Sequence, residues 1–175
     1  ISGLQCTRTD AYSVAIYNVG NGTVTISNVT CKNVDYSVST LYASAGMTTI
    51  ESGSFDGVIY GYTSAETRVL TIKGGTVEVA SAEDLIDMLE YVDEDNTGVT
   101  IELANDIAVS EQVEIRKGIT LDGKGHTISG ADNYSIPSND TGKKYLVACY
   151  APVTIKNVNF VGNNNAKFGL QFYKA

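Results

Sequence analysis

Val24-Thr-Ile-Ser-Asn-Val-Thr-Cys31 is the stretch that decides the fold. Val24 and Ile26, then Val29 and Cys31, face one side, with Thr and Ser between them. Alternation with period two marks a strand with one buried face. The underlying pattern, Ile-x-x-Val-x-(Cys/Phe), recurs along the chain. It reads Ile1-Leu4-Cys6, Ile26-Val29-Cys31, Ile50-Gly53-Phe55, Ile72-Gly75-Val77 and Ile155-Val158-Phe160. The first four anchors, Ile1, Ile26, Ile50 and Ile72, follow one another at nearly even steps. Self-similarity at a period in the twenties means stacked supersecondary units, each too small to bury its own core.

A second apolar pair follows each anchor. Val14 and Ile16 follow Ile1 at the same offsets at which Phe168 and Leu170 follow Ile155. Leu41 follows Ile26 at the offset of Ile16 from Ile1. Each coil therefore carries at least two strands. Corners such as Gly20-Asn21-Gly22 and Gly162-Asn163-Asn164-Asn165 separate them, because Gly and Asn tolerate the left-handed backbone of sharp turns.

One stretch breaks the strand pattern. From Ser81 to about Asp93, Leu85, Ile86, Leu89 and Val92 fall on one helical face. Ser81 with Asp84 forms a loose capping box, and acids fill the first turn. The segment is expected to be an amphipathic helix, about 81–93, laid over an open end of a solenoid. Strands resume at Val99–Leu103, Val113–Ile115, Ile119–Gly130 and Tyr145–Phe160, and Ala131–Lys144 reads as a polar loop.

If the helix caps a beginning, then 80–175 holds the first coils of a solenoid and 1–79 its last. Aligning Ile155/Ile1, Val158/Leu4 and Phe160/Cys6 makes residue 175 ready to run on into residue 1. The expectation is one unit of a tandem array cut in mid-solenoid, with a circularly permuted domain as the rival.

The formal charge of -8, with three arginines (Arg8, Arg68, Arg116), argues against nucleic acid or an anionic membrane as partner. No apolar run approaches the ~20 residues of a membrane span, so no membrane insertion is expected. Three cysteines cannot form a complete disulfide framework in one chain. Cys6 and Cys31 hold the same place in successive repeats. They are read as two small buried hydrophobes in one stack, or else as a vertical disulfide. Cys149 stands outside the motif.

Ile119-Thr-Leu-Asp-Gly-Lys-Gly-His-Thr-Ile-Ser-Gly130, with the helix before it, resembles the opening of the right-handed parallel β-helix (pectate-lyase-like) superfamily. Val153–Asn164 and Val24–Asn33 resemble its ordinary coils. Thr48–Gly57 and Leu70–Val79 are similar to the Gly-Gly-Thr variety of bacterial cell-surface proteins. The resemblance implies an all-β solenoid, a right-handed parallel β-helix, in an extracellular setting. Stacked positions would form core ladders, Ile1/Ile26/Ile50/Ile72 and Cys6/Cys31/Phe55/Val77. A leucine-rich repeat is the alternative, since Ile155-x-x-Val158-x-Phe160-x-x-Asn163 fits it. Against it, Val34 stands at the Asn position of another unit.

Enzymes of the resembling fold use paired acids, or calcium with a basic residue. The nearest candidates are Asp122, Asp132, Asp140, Lys143 and Lys144, and none sits in a hydrolase- or lyase-type motif. His126 reads as structural or surface, with no partner indicated by spacing. Glu90, Asp93, Glu94 and Asp95 lack the spacing of a calcium loop and read as a solvated helix end. No catalytic residue, metal ligand or cofactor site is assigned, and the chain is not expected to be an enzyme. Sequons at Asn21, Asn28, Asn133 and Asn139 fit a glycosylated surface. Tyr12, Tyr17, Tyr36, Tyr42, Tyr60 and Tyr62 recur near second-strand positions. Tyr17, Tyr42 and Tyr60 are the candidate glycan-facing residues, since a tyrosine ring offers an apolar face and a hydroxyl; the plainer reading is that Tyr suits a pleated surface.

The expected function is that of a structural or adhesive β-solenoid module of an extracellular bacterial surface protein or fibre. Its partners would be neighbouring copies, head to tail, and cell-surface glycans. A carbohydrate-binding β-helix is the alternative, and a polysaccharide lyase or hydrolase a more distant one.

Overall fold

The computed structural model describes residues 1–7, 14–19, 22–40, 46–61, 63–64, 67–68, 70–135, 145–166 and 168–173. The chain is a parallel β-solenoid with one short helix; it has seven coils, about six turns from the first strand of the first coil to the first strand of the last. Coil one holds β1 (Gln5–Thr7), β2 (Val14–Asn18) and β3 (Val24–Ile26); coil two holds β4 (Val29–Lys32), β5 (Tyr36–Thr40) and β6 (Thr48–Ile50). Coil three holds β7 (Gly53–Phe55), β8 (Val58–Gly61), the small hairpin β9 (Thr63–Ser64) with β10 (Thr67–Arg68), and β11 (Leu70–Ile72). Coil four holds β12 (Gly75–Val79) and α1 (Ala82–Tyr91). Coil five holds β13 (Val99–Leu103), β14 (Ile107–Val109) and β15 (Val113–Ile115); coil six holds β16 (Ile119–Asp122), β17 (Thr127–Gly130) and β18 (Tyr145–Cys149). Coil seven holds β19 (Thr154–Lys156), β20 (Asn159–Val161) and β21 (Phe168–Phe172).

The first strands of all coils form one seven-stranded parallel sheet in chain order, β1-β4-β7-β12-β13-β16-β19. Its inward column is Cys6, Cys31, Phe55, Val77, Ile101, Leu121 and Ile155. A second ladder, Ile26–Ile50–Ile72, stacks in β3-β6-β11 and continues to Val92 through a single bridge. The Cys6 ladder is therefore present and longer than the repeats implied; of the isoleucine ladder Ile26, Ile50 and Ile72 are paired, while Ile1 is exposed beside a single Ser2–Ser27 bridge. The interior members of both ladders are sealed, with Ile26, Cys31, Ile50, Ile72, Val77, Ile101 and Leu121 all fully buried. On the outer face the residues between them form a hydroxyl row, Thr30–Ser54–Thr76–Thr100–Thr120–Thr154.

The helix corrects the sequence reading. It does not lie over an end of the described stack. It occupies the fourth coil, and the seven-stranded sheet runs straight past it. Gly75–Val79 pairs residue for residue with Val99–Leu103. The step from Gly75 to Val99 equals that from Val29 to Gly53, where no helix intervenes. A ten-residue helix rises about 15 Å, about the length of chain that one side of a coil must cover. It thus replaces a strand without lengthening the coil, and the boundary expected at 79/80 is not a break in the sheet. Ser81 caps the helix by accepting from the Asp84 amide at 3.1 Å, and Asp84 reaches back to the Ala80 amide at 3.3 Å. At the other end the Lys117 ammonium donates to the carbonyls of Glu90 and Val92, a cation on the negative end of the helix.

Leu85, Met88 and Tyr91 are buried, and the helix packs on β8, β11, β12 and β14. Strand β8 is the last of its sheet, β2-β5-β8. The Tyr91 hydroxyl serves its exposed edge, donating to Gly61 O at 2.7 Å and accepting from Gly61 N at 3.3 Å. A Cβ on Gly61 would lie 2.8 Å from Leu70 Cβ and 3.3 Å from Tyr91 Cε1, so this close approach requires glycine.

The alignment of the last coil is also corrected. Ile155 is in register with Leu121 on the seven-stranded sheet, and Phe160 pairs with Ile128 on another side of the solenoid. Neither shares a column with Ile26. The reason is local. Asn28 and Asn157 both adopt the left-handed conformation, at φ 52° and 54°. Ile-x-Asn-Val therefore encodes a corner, not a place in the coil. In the early coils this corner joins the third side to the first; in coil seven it joins the first to the second. The second-strand partner of Ile16 is Val38, and Leu41 lies outside the described residues.

Candidate functional site

Lateral register creates a groove on the outside of β2-β5-β8. Tyr17 pairs with Ser39, and Ser39 with Tyr60. Strands two apart are separated by about 9–10 Å, so a small residue between two tyrosines leaves a slot. Val14, Tyr17, Tyr36, Ser39 and Tyr60 line a groove of about 370 Å³. Tyr17 is 51% exposed, Tyr36 40% and Tyr60 38%, while Ser39 is 5% exposed at the floor. Three ring faces and hydroxyls around a recessed serine suit a flat ligand that carries hydroxyl groups of its own.

Two of the three tyrosines singled out from sequence, Tyr17 and Tyr60, are brought together here. Tyr42, with Tyr12 and Tyr62, lies outside the described residues. Sequence reasoning placed Tyr36 among the recurring second-strand tyrosines but not among the three glycan-facing ones, read Val14 as the apolar partner of Ile16, and did not name Ser39. The signal was the offset between second strands, since Val14 to Tyr36 and Tyr17 to Ser39 are equal steps along the chain.

The acids on the seven-stranded sheet are engaged elsewhere. Glu78, Glu102, Asp122 and Lys156 follow one another across strands β12, β13, β16 and β19. Asp122 is buried and accepts from Asn157 Nδ2 at 2.9 Å and the Lys124 amide at 3.0 Å, with Lys156 Nζ at 3.1 Å. These bonds, the Asn157 amide first and then the Lys124 backbone, lower its pKa to about 2. A carboxylate held so firmly in its ionised form is a poor proton acceptor. Glu78 is shifted the other way, by burial first and then by the charges of Asp56 and Glu102. Lys124 lies 3.7 Å from Glu102.

His126 Nδ1 lies 3.2 Å from Asp106 Oδ1, which also accepts the Thr127 amide at 2.9 Å. Both bonds lower the Asp106 pKa, the Thr127 amide contributing most. The pair straps the β14–β17 corner. Asp93 Oδ1 accepts the Asp95 amide at 2.8 Å, tying down the turn after the helix. Asp132 sits exposed in the turn after β17, while Asp140, Lys143 and Lys144 lie outside the described residues. Among the described residues, no three His, Cys, Asp or Glu side chains are grouped to hold a metal ion.

A second groove, of about 410 Å³, runs between α1 and β15. Ile86, Leu89 and Val113 contribute its apolar lining. Arg116 on its rim is paired with Glu114 at 2.5 Å and lies 4.5 Å over the Tyr150 ring, so this charge is already matched. The chain matches no protein-family model, no curated protein and no solved structure.

Proposed function

We propose that this chain is a structural module, a stiff solenoid segment of an extracellular bacterial surface protein of the pectate-lyase-like type, which associates end to end. One observation carries the reading: the core is uncovered at both ends of the stack. Ile1 and Leu4 are exposed in coil one, and Phe168 and Phe172 in coil seven. Among the described residues the seven-stranded sheet ends on β1 at one end and on β19 at the other. Exposed apolar rungs beside open backbone donors and acceptors favour the addition of another coil. The acidic surface keeps such a rod soluble.

Analytical ultracentrifugation over a concentration series, with negative-stain imaging of the same samples, tests this. Short rods that lengthen with concentration, and that disappear in a Leu4→Lys/Phe168→Lys variant of unchanged circular dichroism, are the expected result. A monomer at all concentrations would remove end-to-end association.

The tyrosine groove favours a second reading, a carbohydrate-binding β-helix. Sugar rings would stack on Tyr17 and Tyr60 over Ser39. Screening on immobilised glycans tests it, with Tyr17→Ala/Tyr60→Ala as the comparison.

A further inference from the structure

We infer that Cys6 and Cys31 are a built site for one reversible disulfide that staples the first coil to the second. The two residues are direct partners in the β1–β4 register. Parallel neighbours lie about 4.8 Å apart, inside the Cα separation of about 4.4–6.8 Å that a disulfide spans. Both side chains belong to the interior column: Cys31 is fully buried and Cys6 packs against the core. Both thiols are free.

The site also accounts for the odd cysteine. Cys149 stacks on Ile115 and Phe172, with no thiol beside it in the sheet. It is fully buried, and burial pushes its pKa up to about 11. Its chemistry is that of a small core residue.

Access sets the order of events with a low-molecular-weight disulfide such as oxidised glutathione. Cys6 is half-buried where Cys31 is sealed, so it is the first of the two that an oxidant reaches. Its thiolate attacks one glutathione sulfur, forming a mixed disulfide and expelling a glutathione thiolate. The Cys31 thiolate then attacks the Cys6 sulfur, expels the second glutathione and closes the bond. Two protein thiols are oxidised and one glutathione disulfide is reduced, and the two thiol protons end on the released glutathiones or the buffer. The second step is slow, because burial pushes the Cys31 thiol up and keeps its thiolate scarce. Its rate should rise about tenfold per pH unit between pH 7 and 9, as the thiolate fraction does.

The test is oxidation of the whole chain by oxidised glutathione at pH 8, followed by alkylation in denaturant, non-reducing digestion and mass spectrometry. The expected product is a monomer lighter by two hydrogens, with a linked Cys6–Cys31 peptide and an alkylated Cys149. Hydrogen exchange in β1 should slow on the order of 100-fold in the closed form. Cys31→Ser should stop at the glutathione adduct of Cys6, and Cys149→Ser should behave as the wild type. Three results overturn the inference: a wild-type chain that rests at the Cys6 adduct with Cys31 alkylated, disulfide-linked dimers through Cys6, or a link that uses Cys149.

Discussion

Replacing Tyr91 by Phe isolates what holds the helix inside the stack. The ring stays and only the hydroxyl leaves, so packing against the core is preserved. Tyr91 is 3% exposed, and its hydroxyl is bonded to both the carbonyl and the amide of Gly61. Among the described residues no strand pairs with β8 on that side, so these backbone groups become orphans in a site closed by Leu70 and the helix. A buried backbone group left without a partner costs about 1–3 kcal/mol. With two groups affected and partial relaxation, the loss should be about 2–3 kcal/mol. For a chain of this size that is a melting point lower by roughly 4–12 °C. Urea denaturation of Tyr91→Phe beside Tyr60→Phe is the assay. Tyr60 is on the surface, and its variant should stay within about 0.5 kcal/mol of wild type. Burial also raises the Tyr91 pKa. The unfolded chain ionises this group near pH 10 while the folded chain resists, so the folded state binds more protons there. Wild-type stability is therefore whole below pH 10 and falls as the pH rises through the folded value; Tyr91→Phe removes that part of the alkaline slope. The sealing role would be refuted by a Tyr91→Phe variant that matches the Tyr60→Phe control in stability and keeps the wild-type alkaline limb.

Three further outcomes are expected. Asp122→Asn should destabilise by about 1–3 kcal/mol at pH 7, because a buried charged acceptor is weakened. Its pKa is depressed, so its contribution is complete above pH 4 and fades as the pH falls toward about 2; acid titration of the variant should show that limb flattened. Gly75→Ala should lose roughly 2–4 kcal/mol by thermal melting, since Gly75 sits at φ 102° and a Cβ would lie 2.8 Å from the backbone N and O of Gly53. Lys117→Met should lower the melting point by a few degrees, about 1–2 kcal/mol, by uncovering the helix carbonyls it caps.

The strand ladders were legible because alternation and spacing are written directly in Ile26, Ile50 and Ile72. The helix was legible as an element, from its capping residues and apolar face, but not as a rung of the stack. An amphipathic face says that something is covered; it does not say whether the cover lies at an end or between two coils. That answer depends on the pairing of Gly75–Val79 with Val99–Leu103, a contact across the whole insertion. The groove was half legible for a similar reason. Tyrosine repetition is visible in sequence, but the Tyr17–Ser39–Tyr60 row exists only once register is fixed. A bulge between Tyr36 and Val38 makes the step from Ser39 to Tyr60 shorter than that from Tyr17 to Ser39, so no single period finds the row.

The misread last coil carries a wider lesson about solenoids. Val24–Cys31 and Val153–Phe160 are near copies, and each folds around a left-handed Asn into the same strand–corner–strand unit. Local sequence therefore determines the corner faithfully. What it leaves open is which side of the coil the corner joins, since every side is a short strand with an apolar inner face. The fourth coil is where that choice changes. The helix replaces the second side, a single bridge at Val92 ends the third, and coils five to seven open new sheets beginning at β14 and β15. Only the seven-stranded sheet keeps its register throughout. It is thus the spine that lets two differently phased halves share one core, and the helix with its Tyr91 and Lys117 bonds is the joint between them.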